Sequence, residues 1–99
     1  MYMGEKDRFK SWPLYEYILK QCYELGMQGA TVMRGMMGFG HKRHMHRNDF
    51  FSLSGDLPVI VEVVDTAEKC AQLEELVRNL PFDGLITTAE VRSVQVFQK

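Results

Sequence analysis

Apolar residues recur along this chain in two rhythms, and the switch between them marks out the elements. Leu14, Ile18, Cys22 and Leu25 follow one another at the three- and four-residue spacing of a helix face. Ser11 or Trp12 stands at the cap and Pro13 in the first turn, where a missing N–H does no harm. Gly26 supplies the left-handed residue that ends a helix predicted over residues 13–25. Leu73, Leu76, Val77 and Leu80 repeat the pattern, with Thr66 as the cap, Glu68 in the first turn, and Pro81 and Asp83-Gly84 closing the segment.

Between and around these helices the chain reads as strand. Residues 1–4 predict a short strand fragment, and residues 29–37, with β-branched Thr31 and Val32, a second strand broken by Gly38-Phe39-Gly40. Residues 57–64 form the strongest strand, apolar almost throughout, which predicts cover on both faces of the sheet. Residues 85–97 alternate with a change of phase near Arg92 and Ser93, so a last strand with a bulge is expected. Residues 41–55 have no period and predict a long loop. The order β, α, β, β, α, β is that of a ferredoxin-like sandwich, an α+β fold with an antiparallel four-stranded sheet and two helices on one face. The uncovered face predicts an oligomer.

Composition narrows the picture. A chain of 99 residues is one domain, residues 1–99, with no room for a separate catalytic domain, and its 45% apolar content suits association. Cys22 and Cys70 fall within the helices without a paired spacing, as thiols of a reducing compartment do. No secretion signal or membrane span is read from the sequence, so a cytoplasmic protein is expected. The net charge of −1 gives no bulk argument for nucleic acid, and none is expected as a partner. The charge is unevenly spread, however. Residues 25–48 hold Arg34, Lys42, Arg43 and Arg47 and no acid, leaving eight bases against thirteen acids, or −5, elsewhere.

That basic stretch contains the candidate chemistry. Gly38-Phe39-Gly40 could present backbone N–H groups to a phosphate or carboxylate, or could simply bend the chain out of a strand. A dinucleotide fingerprint would need glycine where Arg43 stands. His41, His44 and His46 have a spacing that suits zinc, copper or nickel, but the interleaved cations oppose a divalent ion and favour an anion or a partner protein. Ser52 and Ser54, with nearby histidines and Asp49 and Asp56, lack a nucleophile elbow, and no enzyme is expected. Phe50 and Phe51 suit anchoring of the loop to the core, and Met33, Met36 and Met37 suit strand packing.

The same residues carry a family resemblance. Gly29-Ala30-Thr31-Val32, Gly38-Phe39-Gly40, the basic loop ending in Phe50-Phe51 and the Leu57-Pro58 strand resemble the segment around the T-loop of the nitrogen regulatory PII signalling proteins. Arg34-Gly35, Gly38-Phe39-Gly40-His41, His44, His46, Asp49-Phe50-Phe51-Ser52-Leu53-Ser54 and Phe82-Asp83-Gly84-Leu85 resemble more closely the PII-like proteins of domain-of-unknown-function family 190. The resemblance implies a homotrimer with inward-facing sheets and a small anionic effector, an adenine nucleotide, in each cleft between subunits. Its expected contacts are Gly38, Phe39, Gly40, Lys42, Arg43, Gly84, Leu85, Ile86, Thr87 and Arg92. The loop residues His41, His44, His46, Arg47 and Phe50 would touch a regulated protein, with a membrane transporter among the expected targets.

The chain departs from the PII pattern where cations would be. Val59 stands in place of a lysine, Leu85 follows Gly84 in place of another, and Gln95 and Phe97 replace paired arginines, with Arg92 nearby. Each missing cation removes a contact of about 1.5 to 3 kcal/mol, which favours AMP or ADP over a triphosphate. No cofactor is required. The alternative is a trimeric metal-binding protein using His41, His44 and His46.

Overall fold

A computed structural model describes residues 1–39 and 56–98, together with the backbone of residues 46–47. The elements in order are β1 (Tyr2–Gly4), β2 (Arg8–Phe9), β3 (Trp12–Pro13), α1 (Leu14–Glu24), β4 (Ala30–Arg34), β5 (Met37–Gly38), β6 (His46–Arg47), β7 (Pro58–Val63) and α2 (Ala67–Arg78). The main sheet has the order β1-β7-β4, antiparallel throughout. Two short ladders, β2 with β3 and β5 with β6, stand apart from it.

Register determines which residues meet the helices. Val59 lies opposite Met3, and Val61 opposite Val32, so these four side chains share one face. Met3, Val59 and Val61 are buried there with Leu14, Ile18 and Cys22 of α1 and Leu73 and Val77 of α2. Both helices therefore cover the same face. On the other face Ile60 sits between Tyr2 and Met33, and those two flanking side chains are exposed.

The helix ends follow local chemistry. The Thr66 hydroxyl accepts the Lys69 N–H at 3.2 Å, and Gly26 takes φ +72° after α1. The expected cap of α1 needs correction, because Pro13 itself occupies the cap position, without a side-chain hydrogen bond. The methionines need correction too. Met33, Met36 and Met37 are 40%, 79% and 63% exposed, since Met33 lies on the uncovered face and the other two follow the end of β4.

The expected four-stranded sheet is replaced, among the described residues, by three strands and one bridge. Leu85 donates to and accepts from Tyr2 at 3.1 and 2.8 Å, at the position a fourth strand would hold beside β1. Gly84 permits this, because a Cβ there would run into the Tyr2 carbonyl oxygen. Beyond this bridge residues 86–98 form no strand among the described residues. The arrangement is a small α+β fold compatible with a ferredoxin-like sandwich. The loop predicted over residues 41–55 lies outside the described residues, apart from the β6 backbone.

Ile18 and its neighbour Leu19 test the facing of α1. Ile18 is fully buried, so Ile18→Ala should cost about 2–5 kcal/mol, whereas exposed Leu19→Ala should cost under about 1 kcal/mol. Urea midpoints at constant m would show this difference, and equal shifts would contradict the assigned face.

Candidate functional site

The glycine bend begins where the sheet is tied together at Pro58. The Pro58 carbonyl accepts the Gly35 N–H at 2.7 Å, and a Cβ on Gly35 would lie 2.7 Å from the proline ring. Gly38 passes the same ring, with 3.4 Å available to a Cβ. These glycines let the chain cross Pro58 closely, a packing role that sequence alone could not separate from anion binding. Gly38 then opens the β5–β6 ladder. The register sets His46 opposite Gly38 and Arg47 opposite Met37, so one predicted loop cation is brought next to the bend.

Of the other expected residues on this side, Phe39 is exposed, and Gly40, His41, Lys42, Arg43, His44 and Phe50 lie outside the described residues. Arg34, one of the four cations of the basic stretch, pairs with Glu5 at 2.7 Å, which offsets part of the local positive charge.

The second expected group sits elsewhere. Leu85 bridges to the outer side of β1, with Gly84 against the Tyr2 carbonyl, while the glycine bend follows β4 and passes the Pro58 ring at the start of β7. Arg92 is exposed beyond Thr87. Leu85 thus bridges to one outer strand, β1, while the glycine bend continues from the other, β4.

Thr87 does line a cavity of about 160 Å³ with Met1, Tyr2, Ile60, Val61, Glu62 and Val63. The Met1 ammonium donates to the Val61 carbonyl at 2.8 Å; burial lowers its pKa, partly opposed by the Glu62 charge. Sequence reasoning missed Met1 and Glu62 here, because only the β1–β7 register brings them together. A larger, mainly apolar hollow of about 390 Å³ lies between α1 and the start of β4, lined by residues including Leu19, Cys22, Met27 and Ala30. Burial raises the Cys22 thiol pKa, which disfavours a nucleophilic role. Among the described residues there is no group of three His, Cys, Asp or Glu able to hold a metal, and no helix long and apolar enough to cross a membrane.

Asp65 is a further residue that the sequence did not single out. Its carboxylate accepts the backbone N–H groups of Gln28 at 2.9 Å and Thr66 at 2.7 Å, and these bonds lower its pKa. With Lys69 donating to the Leu25 carbonyl at 2.7 Å, it ties the end of α1 to the start of α2.

Two outcomes follow from this geometry. Gly35→Ala should lower stability more than Gly38→Ala, since only the first forces the Pro58 ring to move, as thermal melts of the two variants would show. Asp65 binds protons less readily folded than unfolded, so its stabilising contribution is present above the ordinary value of 3.8 and is lost as pH falls through the lower folded value. Asp65→Asn should therefore flatten the acid limb of a stability profile recorded by urea titration at successive pH values; an unchanged limb would contradict the assignment.

Comparison with known proteins agrees with this framework. The model of the DUF190 family, described as "Uncharacterized ACR, COG1993", matches residues 1–93. A UPF0166 protein of Aquifex aeolicus is 33% identical over 94 residues, covering 95% of this chain and 89% of that protein. UPF0166 protein MJ1524 of Methanocaldococcus jannaschii is 38% identical over 90 residues, covering 87% and 80% respectively. With the family match extending from β1 through the bridge at Leu85 and on to residue 93, the chain belongs to the DUF190 family.

Proposed function

We propose that this protein is a PII-like regulatory protein that binds a small anionic effector, AMP or ADP, between subunits of a homotrimer and acts by binding a partner protein rather than by turnover. The observation that carries this reading is that the described parts of the expected site join different outer strands, Leu85 bridging to β1 and the glycine bend continuing from β4. A neighbour related head to tail would set the Leu85 edge of one chain against the glycine bend of the next. A ring of such contacts closes with equivalent clefts. The exposed Tyr2 and Met33 on the uncovered sheet face support an inward-facing assembly.

Charge supports an anion in that cleft. The backbone of Arg47 lies opposite Met37 on the β5–β6 ladder and Arg92 is exposed beyond Thr87, so each expected half of the site has a cation near it in the chain. The basic stretch of sequence is a suitable element for contacting a partner protein, for which a membrane transporter is the proposed class.

Calorimetric titration with AMP, ADP and ATP tests the proposal. One saturable site per chain is expected for AMP or ADP, with Arg47→Ala and Arg92→Ala each weakening it by roughly 10- to 100-fold. Absence of saturable binding by all three nucleotides would overturn the effector reading.

A further inference from the structure

A lysine stands where a tight turn asks for glycine. Phe9 and Trp12 pair across the β2–β3 ladder, so Lys10 and Ser11 form a two-residue loop, a turn that selects Gly, Asn or Asp for its positive φ. Lys10 takes φ +55°, and among the described residues no other non-glycine position has a positive φ. Strain of this kind persists where the surroundings require a particular side chain, and it collects at sites of function.

The groups around this turn are cationic and aromatic. Arg8 donates to the Ser11 carbonyl across the turn at 2.8 Å. The Lys10 ammonium lies 5.2 Å from the centre of the Phe9 ring, and Lys20, reaching over from α1, lies 5.0 Å from the centre of the Trp12 ring. Phe9 is held against Tyr17 of α1, with ring centres 4.5 Å apart, which fixes the hairpin to the helix. Arg8, Lys10 and Lys20 are exposed, and so is Trp12 at 40%, although tryptophan is highly buried on average. From Arg8 to Lys20 the chain has one acid, Glu16, and the Asp7 carboxylate just before it accepts the Gly4 N–H at 3.0 Å. Three cations and an exposed indole therefore share one tip.

We infer that the β2–β3 hairpin, with Lys20 beside it, docks the protein on an anionic lipid surface. The cations complement the negative headgroups, and an indole beside lysines places its ring at headgroup depth while the ammonium groups stay in water. A nucleic acid fits less well, because a lysine already lies over a face of each ring on which a base would stack. An acidic peptide would need a recess for its side chains, and neither hollow described above is lined by Arg8, Lys10 or Trp12. The contact is peripheral, since among the described residues no helix is long and apolar enough to cross a membrane. It goes beyond the effector reading and does not depend on it.

Trp12 is the only tryptophan in the chain, so its emission reports on this tip. Full-length protein is titrated with phosphatidylcholine vesicles containing roughly one-third phosphatidylglycerol, and with pure phosphatidylcholine vesicles. The anionic vesicles should shift the emission to the blue and shield it from acrylamide, added salt should reverse both effects, and the neutral vesicles should produce neither. Lys10→Gly and Lys20→Gln should each weaken binding about fivefold, the worth of one cation near such a surface. Lys10→Gly should at the same time raise the thermal midpoint, because glycine relieves the positive φ. Arg78→Gln, on α2, should bind like the wild type. Unshifted emission on anionic vesicles, or equal losses in all three variants, would overturn the docking tip. So would emission that responds to a single-stranded oligonucleotide and not to the vesicles. The vesicles carry neither protein nor nucleotide, so a failure here leaves the effector reading standing, and a failed nucleotide titration leaves the tip standing.

Discussion

Hydrogen bonding along both sides of β7 is the interaction on which the rest of the structure depends. This strand holds β1 on one flank and β4 on the other, and its Val59 and Val61 side chains form the floor on which both helices rest. Each buried aliphatic side chain in that layer contributes about 1.5–3 kcal/mol. The inward-facing positions of a few residues thus fix sheet and helices at once, and a one-residue slip would turn Ile60 and Glu62 toward the helices instead.

Saturating β7 leaves the sheet with two unlike edges. One is β4, with its outward backbone unpaired among the described residues, and the other is β1, met by Leu85 at a single bridge. Among the described residues the sheet thus has one face without a covering helix, on which Tyr2 and Met33 are exposed, and two different edges.

Close backbone approach explains glycines whose role local sequence leaves open. Gly35 crosses the Pro58 ring, and Gly84 lies against the Tyr2 carbonyl, both at distances no side chain allows. The first guides the chain into the basic segment and the second makes the Leu85 bridge possible. Both contacts join residues far apart in sequence, and packing alone gives reason for glycine at each.

Both helices, the Thr66 cap, the Gly26 ending and the central strand were legible in the sequence, because periodicity and capping depend on residues within one or two turns of each other. The motifs around Gly38 and Phe82 likewise pointed to the family that the comparison bears out. Of the expected site, Gly38 and Arg47 are brought close together, whereas Leu85 bridges to the other outer strand, β1. Tertiary structure alone decided that arrangement, the exposure of Met33, Met36 and Met37, and, among the described residues, the absence of a strand after Leu85. An apolar pattern states which side chains share a face, but whether that face is covered, and whether a strand finds a neighbour, depends on what distant parts of the chain place beside it.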